Sequence, residues 1–514
     1  MEFFEVQSPS IRDRLRYNQL PSDSERLAIQ VSIHSAQARL IEPPSSTVEA
    51  AEIKTYIAQY SSLLAPIRRL PVDILRAIFL QPLAHERSDR KFAQRSIILQ
   101  YKPNTLGGVC FHWRCVTCET APLWSHLIVV LNRPSRSTID GLRIALRRSR
   151  NVPLDLDFRS VRLSGMLWST EDSDMMQEVL IHSERWAHIS LILDSRLLQQ
   201  LSPAQNRLQN LHALTLSGDT VDDLLPTLVF SNAPKLRLLK VTRMNRYNRT
   251  ELPPLPWHQL TEVCVDNNHD NPELLHHVLS RGEDVHELSL RLFSDSPPLP
   301  HIVSSSVQKI VMYGHLGINK HEMEGLNHMT IPGLTDLRLV HCRFWNLPVI
   351  QAFAQRSSFN LQTLMLHSVP IRARELSLLL GLVQTVEILH LQDLLPNAIT
   401  NEVMDALNTN ISPTPLLPGL TALTVSGTYL SDFGKVLALL ESRLTSSNHI
   451  PRVAVLDITL FNVGFSAQSL QRLHSFRVMQ GFRFLSVDDA RRSMTMQFGF
   501  APRIRWVQEL DLQD

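Results

Sequence analysis

One six-residue pattern constrains this chain more than any other feature: an apolar residue, two of any kind, an apolar residue, one of any kind, and a third apolar residue. It opens at Trp186 (with Ile189 and Leu191), Leu211 (Leu214, Leu216), Leu236 (Leu239, Val241) and Leu260 (Val263, Val265). It continues at Val285 (Leu288, Leu290), Val307 (Ile310, Met312), Leu334 (Leu337, Leu339), Leu361 (Leu364, Leu366) and Val386 (Leu389, Leu391). Leu420 (Leu423, Val425), Val453 (Leu456, Ile458), Phe482 (Leu485, Val487) and Val507 (Leu510, Leu512) close the series. Successive starts lie roughly 22 to 34 residues apart, mostly about 25, a period typical of repeat architectures. Alternation over the last three apolar positions makes a short strand with one buried face. Stretches of helical spacing separate the strands, among them Pro272–Arg281, Val349–Arg356 and Phe433–Arg443. A unit of this size cannot bury its own apolar face, so the units must stack.

The expected fold is therefore α/β, with an irregular solenoid of horseshoe form over 131–514. Its period lies near that of leucine-rich repeats, although the asparagine usual in such repeats is largely absent. A doubly wound α/β sheet would also alternate strand and helix. Short strand signals sustained through so many units favour stacking. The residues between the apolar positions of each strand should line the open face. Thr215, Lys240, Ser289, Arg338, Met365 and His390 are the expected target-binding positions. Their mixture of charged, polar and apolar types suits a protein surface more than a nucleic acid.

Composition agrees with a globular chain. With 514 residues it is too long for one compact core, and 44% hydrophobic against 19% charged residues is not a disordered balance. Fifty-one basic and 49 acidic residues leave a net charge of +2, too little to gather polyanions, so nucleic acid is not an expected partner. The one dense basic stretch, Arg143, Arg147, Arg148 and Arg150, alternates with Leu142, Ile144 and Leu146 and reads as a solvated helix face. No apolar run approaches the ~18–20 residues that cross a bilayer. Met1-Glu2-Phe3-Phe4-Glu5 lacks the basic and apolar regions of a signal peptide. Five cysteines, three of them within Cys110–Cys118, do not make a dispersed disulfide framework. A cytoplasmic or nuclear location, without membrane contact, is the expectation.

Ahead of the repeats stand two further segments. In 1–65, Leu27, Val31, Ile33 and Leu40 precede a Pro43-Pro44-Ser45-Ser46 break, and Val48, Ile53, Ile57, Tyr60 and Leu64 follow it. Spacings of three, four and seven predict two helices paired as a hairpin; a short coiled coil with a partner is the other possibility. In 66–130, Pro71 suits the first turn of a helix, and Ile74, Leu75, Ile78 and Phe79 fall on one face. After a polar insert, Leu106, Val109, Cys110, Trp113 and Val116 again have helical spacing, and a strand-like Leu127–Leu131 ends the segment. Three short helices carry more apolar surface here than so small a bundle can bury, so some of it needs a neighbour.

Motifs that would carry chemistry are missing. Cys115-x-x-Cys118 has zinc or redox spacing, but no second ligand pair follows. Val109, Trp113 and Val116 make that stretch an apolar helix face, where cysteine packs as a small hydrophobe. The 21 histidines scatter; His276-His277, His301, His315, His321 and His328 stand beside no nucleophile motif. No glycine-rich phosphate loop occurs. Asp155 and Asp157 alternate with Leu154, Leu156 and Phe158 as the polar face of a strand; Glu171, Asp172 and Asp174 stand near them without a motif. The chain is expected to be no enzyme and to need no metal or cofactor.

With these residues in view, the 66–130 segment resembles an F-box. The matching residues are Pro66-Ile67-Arg68-Arg69-Leu70-Pro71-Val72-Asp73-Ile74-Leu75-Arg76-Ala77-Ile78-Phe79, then Val109-Cys110-x-x-Trp113-Arg114-x-Val116, then Ala121-Pro122-Leu123-Trp124-Ser125. Tyr60-x-x-Leu63-Leu64-x-Pro66 before it, and Leu146-Arg147-Arg148-Ser149-x-x-Val152-Pro153-Leu154 after it, are similar to F-box-like families expanded in mushroom-forming fungi. So are Arg185-Trp186, Ala233-Pro234-x-Leu236-Arg237 and Leu255-Pro256-Trp257-x-x-Leu260. The departures are a longer insert over His85–Lys102 and Val72 in place of the frequent proline or acidic residue. The resemblance implies a substrate receptor of a cullin-RING ubiquitin ligase of SCF type. The F-box would dock on a Skp-type adaptor and the repeats would hold a target protein. Carried over by motif position, Leu70, Pro71, Ile74, Leu75, Ile78, Phe79, Val109, Trp113, Leu123 and Trp124 would form or support the adaptor interface. The alternative is a repeat scaffold whose F-box-like bundle serves only as an N-terminal cap, without ligase association.

Overall fold

The computed structural model describes residues 11–41, 47–85, 98–99, 103–131, 134–160, 169–192, 195–217, 228–242, 254–266, 275, 279–291, 301–314, 323–395, 397–428, 433–445, 455–460, 482–487 and 503–508. The helix expected over Pro272–Arg281 lies largely outside them, as do His276, His277, His315, His321 and most of the His85–Lys102 insert. The chain divides into two compact units. Unit 1 holds residues 1–192 and 199–211; unit 2 holds 193–198 and 212–514.

Unit 1 opens with helices α1 (Ile11–Arg16), α2 (Asp23–Ile41) and α3 (Thr47–Leu64). α2 ends at Ile41 and α3 begins at Thr47; Pro43 and Pro44 lie outside the described residues. The buried face includes the expected Ile33, Ile57, Tyr60 and Leu64 and differs elsewhere: Ile29, Ile33 and Leu63 form the core, joined by Ile11, Leu15, Ile57, Tyr60 and Leu64. Leu27 and Val31 are 66% and 69% exposed. Ile29 and Ile33 are also four apart, so two apolar stripes compete on α2, and α1, which the spacing did not flag, settles which one is covered. Arg68 ties this region together, donating to the carbonyls of Ser62 (2.6 Å) and Leu15 (3.3 Å).

The helical segment that follows contains a short 3-10 turn (Pro66–Arg69), α4 (Val72–His85), α5 (Pro103–Val109), α6 (Phe111–Glu119) and a second 3-10 turn (Ala121–Trp124). The single helix expected across Leu106–Val116 is two. Cys110 adopts an extended conformation (φ −159°, ψ 171°) and its Sγ accepts the Trp113 amide, so it caps α6 rather than continuing α5.

Unit 1 ends in a small sheet of order β1-β2-β3-β4: β1 (Ile98–Leu99), β2 (His126–Leu131), β3 (Leu154–Ser160) and β4 (Trp186–Ile192). β1 runs antiparallel to β2, whereas β2, β3 and β4 are parallel. Helices α7 (Arg136–Arg148) and α8 (Thr170–Leu180) make the crossovers. The repeat pattern thus begins two strands before Trp186. Asp155 and Asp157 lie on the polar side of β3, where Asp157 pairs with Arg159 at 2.8 Å. Asp172 is buried in a capping box with Ser169 at the start of α8. The basic stretch is a solvated face of α7: Arg143 pairs with Glu178 (2.7 Å), and Arg148 lies 4.5 Å over the Trp124 ring.

Unit 2 is built from β5 (Ala213–Ser217), β6 (Leu238–Thr242), β7 (Glu262–Asp266), β8 (Glu287–Arg291), β9 (Ile302–Val303), β10 (Lys309–Tyr313), β11 (Met329–Thr330), β12 (Asp336–Val340), β13 (Thr363–His367), β14 (Ile388–Gln392), β15 (Ala422–Thr428), β16 (Val455–Leu460), β17 (Phe482–Val487) and β18 (Arg503–Gln508). Apart from the small β9–β11 pair, each strand from β5 to β16 is parallel to its successor in chain order. A doubly wound sheet would reverse strand order at a switch point; this sequential order is that of stacked coils, one strand to each, and is leucine-rich-repeat-like. Helices α9 (Leu347–Ser357), α10 (Ala373–Leu382), α11 (Asn401–Leu407) and α12 (Phe433–Thr445) connect the later strands. The apolar triplets fill the core: Leu214, Leu216, Leu239, Leu288, Leu337, Leu364, Leu366 and Leu389 are all buried.

The series ends differently from expectation. β18 runs antiparallel to both β16 and β17, in the order β16-β18-β17. The pattern at Phe482 therefore falls on β17, which pairs with β18 rather than forming a further parallel coil, while Leu510 and Leu512, the strand positions of the pattern at Val507, lie outside the described residues. A period-two apolar triplet specifies a strand and leaves its direction open.

The asparagine missing from the repeats has substitutes. Long side chains reach back to carbonyls of the preceding coil: Arg185 to Val152 (2.8 Å), Gln259 to Ala233 (2.6 Å), Arg356 to Leu326 (2.7 Å) and Arg443 to Leu407 (2.7 Å). Each satisfies a backbone acceptor that the turn would otherwise leave orphaned.

Candidate functional site

In the helical segment of unit 1, the residues named for adaptor docking separate into two groups. Leu75, Phe79, Leu123 and Trp124 are buried, and Leu70 and Trp113 are half-buried. Phe79 packs on Trp113 with ring centroids 4.8 Å apart, and the Trp124 indole N–H donates to the Thr117 carbonyl at 2.8 Å. These residues hold the bundle together. Pro71 is exposed, and Ile74, Ile78 and Val109 are 49%, 42% and 61% exposed. Pro71, Ile74 and Ile78 follow the i, i+3, i+7 spacing of a single helix stripe. The face on which Ile74, Leu75, Ile78 and Phe79 were expected to act together is thus divided: a wide apolar arc buries one flank against α6 and leaves the other bare.

Among the described residues, no group of three or more histidine, cysteine or acidic side chains is placed to hold a metal ion. Cys115 and Cys118 lie half-buried on α6 as free thiols. No described helix is long and apolar enough to cross a membrane.

In unit 2 the six expected target-binding residues fall in one line. Strand register aligns Thr215, Lys240, Cys264, Ser289, Val311, Arg338, Met365, His390 and Thr424 as successive neighbours across the sheet, about 4.8 Å apart by the spacing of paired strands. Cys264, Val311 and Thr424 belong to this row although sequence reasoning passed over them. They occupy the same middle position of their triplets, so the signal was present. All six expected residues are half-buried rather than open, because their neighbours in the row cover their flanks.

Charge on this face is largely paired. Lys309 meets Glu287 at 2.8 Å and Arg338 meets Asp336 at 2.8 Å; the Asp336 hydrogen bond holds the Arg338 guanidinium above its ordinary pKa. His390 shares a hydrogen bond with the Thr424 hydroxyl (2.9 Å), and burial lowers its pKa.

A second group gathers where the strands end. Arg291 lies over the Tyr313 ring, 5.7 Å from its centroid. The rings of His341 and His367 are 4.5 Å apart, and His367 Nε2 lies 3.1 Å from Asp393 Oδ2. His341 is the first residue after β12 and adopts a left-handed conformation (φ 55°). No apolar triplet marks that position, so sequence alone did not single it out.

No protein-family model matches the chain, and no curated protein sequence matches it. Among solved structures, an internalin from Listeria monocytogenes is similar at 13% sequence identity, over 63% of this chain and 88% of that one, with a TM-score of 0.27. So slight a likeness bears on neither the fold nor the role.

Proposed function

We propose that the chain is a substrate receptor of an SCF-type cullin-RING ubiquitin ligase, docking on a Skp-type adaptor through its F-box-like segment and holding a target protein on its repeats. It acts by effective concentration and performs no chemistry of its own. The observation that carries this is the division within α4. The motif residues Leu75 and Phe79 close the bundle, while Pro71, Ile74 and Ile78 leave an aliphatic stripe uncovered within unit 1. Apolar side chains presented from a rigid, aromatic-braced helix have the composition of an interface centre. The in-register row from Thr215 to Thr424 supplies a second surface, of mixed chemistry, suited to a protein partner.

The test is co-purification of the full chain with a Skp-type adaptor. The wild type should associate, and a Pro71→Glu/Ile74→Glu/Ile78→Glu variant with an unchanged melting temperature should not. Absence of association in the wild type would reduce the bundle to a cap on a repeat scaffold. For the target arm, proteins captured by the wild type should be lost from a Lys240→Glu/Met365→Asp variant.

A further inference from the structure

Helix α2 carries two apolar stripes, and the chain itself covers only one of them. Ile29, Ile33 and Ala36 are buried, and Ile29 and Ile33 close a core with Leu63 of α3. Leu27, Val31, His34, Ala38 and Ile41 make the other stripe, and all five are exposed. At about 100° per residue, an offset of two residues sets this stripe on the opposite side of the helix. Its spacings of four, three, four and three residues are those of the seam of a two-stranded coiled coil. We propose that this stripe pairs with the same stripe of a second copy of the chain, making a homodimer through α2. The pairing goes beyond the receptor reading and does not depend on it.

Three observations single out a second copy. The first is charge. The charged side chains of α2 are Asp23, Glu25, Arg26 and Arg39, and each is neutralised within its own chain. Arg26 pairs with Asp23 (3.4 Å), Arg39 with Glu49 of α3 (3.2 Å), and Glu25 with Arg14 of α1. In coiled coils the positions beside the seam choose the partner by charge; here they are Ala28, Gln30, Ser35 and Gln37. A charged partner would find nothing to pair with there. An identical helix meets its own neutral flanks without like-charge repulsion.

The second is shape. Leu27, Val31 and Ile41 are aliphatic knobs, whereas Ala28, Ser35 and Ala38 are small enough for two helix axes to approach to about 8 Å. The third is the polar residue at the centre. His34 Nδ1 donates to the Gln30 carbonyl one turn back (2.7 Å), so a dry seam has only Nε2 left to satisfy. Gln30 and Gln37 of the second copy offer amide groups for it.

The size of the contact sets its strength. Leu27 to Ile41 span about 21 Å of helix, less than a standard interface of about 1,600 Å² needs. Pairing is therefore reversible, with dissociation on the order of 10 µM.

The test is sedimentation equilibrium of the full chain from about 1 to 100 µM, a range that brackets such a dissociation constant. The mass should rise from that of one chain toward that of two. Leu27→Glu/Val31→Glu should stay at one chain throughout, with the melting temperature that the wild type has at the lowest concentration. Leu27→Ala should weaken association at least about tenfold, because each dimer loses two buried leucine side chains. It adds no charge to the helix and decides the matter if the glutamate variant fails to fold. Ile74→Glu/Ile78→Glu, on the bare flank of α4, should dimerise as the wild type does. A one-chain mass at every concentration overturns the proposal. So does a dimer that survives Leu27→Glu/Val31→Glu and Leu27→Ala unchanged, or one lost on Ile74→Glu/Ile78→Glu. Failure of adaptor association with the dimer intact would remove the ligase reading and leave the α2 pairing standing.

Discussion

The rings of Phe79 and Trp113 meet at 4.8 Å and an interplanar angle of 59°, joining two helices that the His85–Lys102 insert separates in sequence. The contact closes the bundle from inside and fixes which flank of α4 remains outside. Phe79→Ala removes a buried aromatic side chain and should cost about 3–5 kcal/mol, read as a lowered denaturation midpoint of unit 1. Ile74→Ala and Ile78→Ala, on the bare flank, should change stability by no more than about 0.5 kcal/mol while weakening adaptor association.

Arg443 is 1% exposed and, among the described residues, hydrogen-bonds to the backbone carbonyls of Leu407, Leu416, Leu417 and Pro418. Burial pulls its guanidinium down to about 10, so it stays charged at neutral pH. Arg443→Met keeps much of the apolar volume and strands those acceptors. A loss of about 3 kcal/mol or more is expected, with amide exchange faster in β14 and β15 than in β5–β7.

Gly314 follows β10 where the next coil comes closest. A Cβ there would sit 2.1 Å from the His341 carbonyl oxygen and 2.6 Å from Cys342 Cα. Gly314→Ala must push the His341 turn aside and should destabilise the protein by about 1–3 kcal/mol.

Burial lowers the pKa values of His112, His182, His341 and His390. The unfolded chain therefore binds protons first as pH falls, so the contribution of these groups is complete above about pH 6.5 and is lost below it. The thermal midpoint should drop between about pH 7.5 and 5.5, and His390→Gln should flatten the decline.

What the sequence by itself determined is the periodic part. Apolar triplets about 25 residues apart fixed where strands form, since period-two burial is a property of consecutive residues. They also fixed the middle position of each strand, and so the row from Thr215 to His390. The helix pair about Pro43-Pro44 and the bundle residues Leu75, Phe79 and Trp124 were legible for the same local reason. The tertiary structure decided the rest. It covered Ile29 together with the expected Ile33 and left Leu27 and Val31 outside, because two stripes on one helix differ only in what packs against them. It made Cys110 a cap rather than a helix residue, and turned the last strand antiparallel. It brought His341 to His367, because positions just after a strand carry no apolar signal and meet only once neighbouring coils are stacked in register.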